Sequence, residues 1–140
     1  MNWAILVAIA LVAACSKDEG ATTASGSASE PAAAATAANP RDAVIAAWKA
    51  GGLAPSVFGA TTTPVGSDCA AGKVNKIDVL VCSYASADAA KAAEGAAYKW
   101  VGDTTGAAQA RGSVVIAVAD RAKGDPHGKT INQLMKLAPK

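Results

Sequence analysis

The stretch CAAGKVNKIDVLVCSY, Cys69–Tyr84, decides how this chain folds. Its second half, Ile77-Asp78-Val79-Leu80-Val81-Cys82, is rich in β-branched residues and has apolar residues on both faces of a pleat. A two-residue turn at Asn75-Lys76 makes the whole stretch one hairpin. Val74 then faces Ile77, Lys73 faces Asp78, Gly72 faces Val79 and Cys69 faces Cys82. Pairs flanking such a turn are hydrogen-bonded and the type alternates outward, so Cys69 and Cys82 fall at a non-hydrogen-bonded site. Cα atoms there lie about 4.5 Å apart, a spacing that a disulfide accepts. The same register sets Lys73 against Asp78, a favourable charge pair. Lys76 stands where a type I′ turn favours Gly. A longer loop centred on Gly72–Asn75 would shift every pairing.

The elements around the hairpin are read outward from it. Upstream, Asn39-Pro40-Arg41-Asp42 has the chemistry of a helix start: Asn as N-cap, Pro at N1 and a carboxylate at N3 near the positive end of the dipole. Val44, Ile45 and Trp48 form an apolar stripe, and Gly51-Gly52 ends the helix. A strand is predicted over Val57–Thr62, broken by Pro64, Gly66 and Ser67. Downstream, Ser86 caps a helix whose inner face is Ala90, Ala93, Ala97, Trp100 and Val101, with Gly102 as the stop. Val114–Ala119 reads as a buried strand. Asp125-Pro126 opens a last helix, in which Ile131, Leu134, Met135 and Ala138 recur at helical spacing.

This order predicts an α+β fold: a small antiparallel or mixed sheet with three helices. A hairpin strand, a crossover helix and a further strand give half of a ferredoxin-like topology. Such topology implies no activity. Most of the apolar residues are Ala, and Phe58 is the one Phe, so each buried side chain contributes little at ~25 cal/mol per Å². If helices cover the Ile77/Val79/Val81 face alone, then Leu80, the disulfide and Tyr84 lie on the open side. That face is the binding surface the pattern predicts.

The N-terminal segment is of another kind. Met1-Asn2-Trp3 precedes a charge-free apolar run, Ala4–Ala14, and then Cys15. A run of that length suits the apolar region of an export signal; a membrane-spanning helix needs ~20 residues. Leu11-Val12-Ala13-Ala14-Cys15 resembles the lipobox of bacterial lipoproteins. The resemblance implies a signal peptide over 1–14, cleavage before Cys15 and a diacylglyceryl group on its sulfur. It further implies a cell-envelope location, anchored to the lipid bilayer. Ser16 after the cysteine resembles the outer-membrane sorting pattern, which implies an anchor facing the periplasm. The resemblance covers this segment only. With Cys15 lipidated, Cys69 and Cys82 are an even pair in an oxidising compartment, which reads as one disulfide.

Residues 15–39 read as the lipidated cysteine and a flexible tether, and 40–140 as a single domain. From Ser16 to Asn39 the chain is mostly Ala, Ser, Thr and Gly with one Pro, few charges (Lys17, Asp18, Glu19 and Glu30) and no bulky apolar residue. It cannot offset its ordering entropy by burial. A coil of that length spans roughly 25–30 Å. Residues 40–140 carry twelve Lys and Arg against eight Asp and Glu. The cations are scattered without a basic run or interleaved aromatics, which argues against nucleic acid. A cell-wall polymer or an envelope protein is the partner class that remains.

Candidate chemistry is sparse. His127, the single histidine, sits in Asp125-Pro126-His127-Gly128 and reads as a solvated loop residue. A zinc site needs three or four ligands, more than one His and two paired Cys supply. Redox pairs usually stand two residues apart, whereas twelve intervene here. Gly102-Asp103-Thr104-Thr105-Gly106 lacks the Lys-Ser/Thr of a phosphate loop and leads to a strand. Asp120 and Asp125, with Arg121 and Lys123, read as a charged surface turn. No cofactor is implied. The expectation is a non-catalytic binding or structural module of the envelope. The alternative is an envelope enzyme or thiol–disulfide factor built on Asp125/His127 or Cys69/Cys82.

Overall fold

In a computed structural model, which describes residues 38–140, the hairpin closes on a two-residue turn. Asn75 and Lys76 both take positive φ, 46° and 72°, as a type I′ turn requires. The strands are β2 (Gly66–Val74) and β3 (Ile77–Ser83). Their register is Val74↔Ile77, Lys73↔Asp78, Gly72↔Val79 and Cys69↔Cys82, as the turn dictates. The Lys73 ammonium donates to the Asp78 carboxylate. Cys69 and Cys82 form a disulfide across the pair, with Cα atoms 3.9 Å apart. The signal segment, Cys15 and the tether as far as residue 37 lie outside the described residues.

The remaining elements are α1 (Pro40–Ala50), β1 (Gly59–Thr63), α2 (Ala87–Ala92), α3 (Glu94–Val101), β4 (Gly106–Arg111), β5 (Val114–Ala119) and α4 (Lys129–Leu137). The architecture is α+β: one antiparallel five-stranded sheet in the order β1-β2-β3-β5-β4, with helices on both faces. The side chain of Asn39 caps α1 through the Arg41 N–H, and Pro40 sits at its first position. Ser86 caps α2 through the Ala89 N–H.

The expected crossover helix breaks into α2 and α3 at Ala93, whose N–H reaches back only three residues, to the Ala90 carbonyl. The following strand, β4, is absent from the sequence reading. Its sequence GAAQAR lacks β-branched residues, so it becomes a strand only by pairing with β5 along its whole length. A two-residue turn led by Gly112, at φ 54°, joins the two. Gly106 is required by packing: a Cβ there would lie 2.3 Å from the Val118 carbonyl oxygen and 2.4 Å from Val101 Cγ1. With β5 between β3 and β4, the run β3–α2/α3–β4–β5 is a split β-α-β unit, half of a ferredoxin-like arrangement. Resemblance stops there, because α4 packs on the opposite face with α1.

Strand alternation divides the core. Ile77, Val79, Val81, Val114, Ile116 and Val118 face α1 and α4, where Trp48, Ile131 and Leu134 fill the layer. Trp48 is fully buried, and its indole N–H donates to the Leu134 carbonyl at 2.9 Å. Leu80, Cys82, Val115, Ala117 and Ala119 face α2 and α3, whose contribution is Ala90, Ala97 and Val101. This second layer is built from small side chains and the disulfide. Replacing Cys69 and Cys82 together by Ser should lower unfolding stability by about 3 kcal/mol. Denaturant titration of the double variant checks this.

Candidate functional site

Three places on the domain surface are candidates, two polar and one apolar. The first is an open groove of about 770 Å³ where α1 begins beside the end of β3, lined by Asn39, Asp42, Asp68, Ser83 and Tyr84. Asn39 Oδ1 accepts from the Arg41 N–H at 3.0 Å and from Ser83 Oγ at 2.9 Å. The helix cap thereby also ties α1 to the sheet. Arg41 pairs with Asp68 at 2.6 Å on the surface, where an ion pair adds little.

Tyr84 ends the hairpin at the rim of this groove. Its N–H donates to the Ser113 carbonyl, and its phenol donates to the Val65 carbonyl. A Cβ added at Gly66 would lie 2.9 Å from the phenol oxygen and 3.4 Å from Cys69 Sγ, so ring and disulfide share that small site. Burial pushes the Tyr84 phenol above its ordinary pKa.

The predicted Leu80/Tyr84 surface is corrected. Leu80 is 1% exposed, and Tyr84 packs against the same cluster. The chain must cross from β3 to β4, and α2 and α3 carry it over this face. Both faces of β3 are therefore covered. Apolar surface on this side lies instead along α3. Pro64, Val65, Ala96, Lys99 and Trp100 line a depression of about 160 Å³. Trp100, expected in the core, is only half-buried. The Arg121 guanidinium sits 4.8 Å over its ring and donates to its carbonyl at 2.7 Å.

The third place is the turn after β5. Asp120 and Asp125 read as surface carboxylates, yet they are 2% and 9% exposed. Their oxygens are occupied by backbone amides. Asp120 accepts from the N–H groups of Gly124 at 2.9 Å and Asp125 at 2.7 Å. Asp125 accepts from Lys129 at 2.9 Å, Thr130 at 2.8 Å and Ile131 at 3.1 Å. The helix expected to open at Asp125-Pro126 therefore starts at Lys129, with Asp125 capping it from four residues upstream. The capping residue by position, Gly128, has no side chain to offer. Sequence spacing hid this role because an N-cap normally bonds two or three residues ahead. The two carboxylates work in series: Asp120 holds the Asp125 amide, and Asp125 holds α4.

His127 is exposed in the tight turn between Asp125 and Gly128, while both Asp125 oxygens point to α4 amides. The structure does not bring these two into an acid–base pair. The loop Gly102–Thr105 runs into β4, and Asp103, Thr104, Thr105, Asp120, Lys123 and Pro126 line a cleft of about 260 Å³. Among the described residues, no group of three or more His, Cys, Asp and Glu is placed to hold a metal ion. Comparison with known protein families, with curated proteins and with solved structures finds no match.

Two substitutions check this geometry. Asp125→Ala should leave three α4 amides unpaired and lower stability by roughly 2 kcal/mol or more, measured by denaturant unfolding. Tyr84→Phe probes the raised phenol. A phenol whose folded pKa lies above its unfolded value gives stability that is full below the unfolded pKa. That stability is lost as pH rises through the folded one. The wild type should therefore lose stability above about pH 10 more steeply than Tyr84→Phe, in unfolding curves taken across that range.

Proposed function

We propose that this chain is a lipid-anchored module of the bacterial cell envelope, binding or bracing a partner without catalysis. The reading is carried by the charge-free run that ends in Leu11-Val12-Ala13-Ala14-Cys15. The domain supports it with a disulfide whose cysteines are 1% and 0% exposed, a bond suited to an oxidising compartment. Acylated Cys15 holds the bilayer, and the tether lets the domain stand clear of the headgroups. The anchor belongs to the outer membrane, facing the periplasm, by the residue that follows the cysteine.

The alternative of a thiol–disulfide factor is weakened by the same burial. An attacking thiolate must reach a disulfide sulfur, and here both cysteines are at most 1% exposed, with Gly66 and the Tyr84 ring beside Cys69 Sγ. The enzyme reading is weakened by Asp125, whose carboxylate is committed to α4.

Anchoring has a direct test. In cells making the full chain, the mature N-terminal peptide should begin at Cys15 and carry fatty-acyl mass, and the protein should sediment with membranes. Cys15→Ala should move it to the soluble or unprocessed fraction while the domain stays folded. A wild-type protein that is soluble and unmodified at Cys15 would sink this reading.

A further inference from the structure

The two edges of the sheet are finished differently. At β4, Glu94 accepts the outward Ala110 N–H at 2.7 Å. Arg111 reaches from the same strand to the Met135 carbonyl of α4 at 3.1 Å. Charged side chains thus close that edge, a common guard against strand addition.

At the other edge, β1 carries no such guard. Counting alternation from the Asn75-Lys76 turn, Cys69 and Ala71 turn their N–H and C=O groups away from β3, towards β1. Their partners Thr61 and Gly59 are therefore satisfied by β2. Ala60 and Thr62 turn theirs outward, and both residues are exposed. Among the described residues, no group reaches these outward amides. The register shift does not blunt the edge. Between Thr61 and Thr63, β1 takes two steps while β2 takes three, from Cys69 to Gly66, so the extra residue lies in β2.

The chemistry of the strip points to its occupant. From Ser56 to Ser67 there is no charge, in a domain with an excess of four cations. A charged peptide would find no counter-charge there, whereas an identical strip meets no like charge. We propose that β1 binds β1 of a second copy of this chain, antiparallel about a two-fold axis at Thr61. Thr61 is the midpoint of Gly59–Thr63, so this register overlaps the strands fully. Ala60 then faces Thr62 across the axis, and four backbone hydrogen bonds form. Thr61 faces its own copy, a favourable cross-strand pair. The contact is isologous, and the capped β4 edges stop growth at two copies and ten strands.

The test uses the full chain in intact cells, with a photo-crosslinking amino acid at Val57, which is 93% exposed beside β1. Irradiation should give an adduct of twice the chain mass, its crosslinked peptide falling within residues 57–66 of a second copy. Thr62→Pro removes an outward N–H and spares the backbone pairing with β2, losing there only the long 3.5 Å bond from the Thr62 hydroxyl to the Ser67 carbonyl. Ala60→Lys sets two ammonium groups close to the axis. Each should cut the adduct about tenfold or more, with the Cys69–Cys82 disulfide intact. No adduct, an adduct to a different protein, or an adduct unchanged by Ala60→Lys would overturn the proposal. The readout is independent of acylation at Cys15, so it can fail without the anchoring reading failing.

Discussion

Everything in this domain depends on β3 being paired on both sides and buried on both faces. Val79, Leu80, Val81 and Cys82 are each at most 1% exposed. A strand in that position presents apolar side chains up and down, so each face needs its own cover. One face takes α1 and α4, the other α2 and α3. The helices on opposite faces follow from the composition of a single strand.

The two layers solve the burial problem in different ways. Under α1 and α4 the sheet offers Val and Ile, and the helices answer with Trp48, Ile131 and Leu134. Large side chains there bury enough area to hold the layer by the hydrophobic term. Under α2 and α3 the facing residues are largely Ala, with Gly106 against the Val101 side chain of α3. Small side chains let helix and sheet approach but bury little. The disulfide lies in this thinner layer, where covalent constraint offsets what burial does not supply. The bridge and the alanines are thus two parts of one arrangement.

Polar groups are placed by the same economy. Asp120 and Asp125 are buried but fully occupied by amides, which offsets the cost of their desolvation. They substitute for a cap that Gly128 lacks and pin α4 against the sheet. Glu94 serves a strand edge in a comparable way. Ionisable groups that look like candidate chemistry in the sequence are here the fastenings of loops, helix ends and one sheet edge. The proposed envelope role therefore rests on the N-terminal run that ends in Cys15, and the open β1 edge carries a separate proposal.

The hairpin, its register, its disulfide, the caps at Asn39 and Ser86 and the buried strand Val114–Ala119 were determined by the sequence alone. Each depends on residues close along the chain: a two-residue turn sets alternation, and alternation sets which residues face each other. Strand β4 was not legible, because GAAQAR has no strand pattern of its own and is held by β5. Nor was the burial of Leu80 legible, since no local signal says which face a crossover helix will cover. The cap from Asp125 was hidden because it acts across a turn that only folding closes. Tertiary structure alone decided these, since each arises where packing overrides local preference.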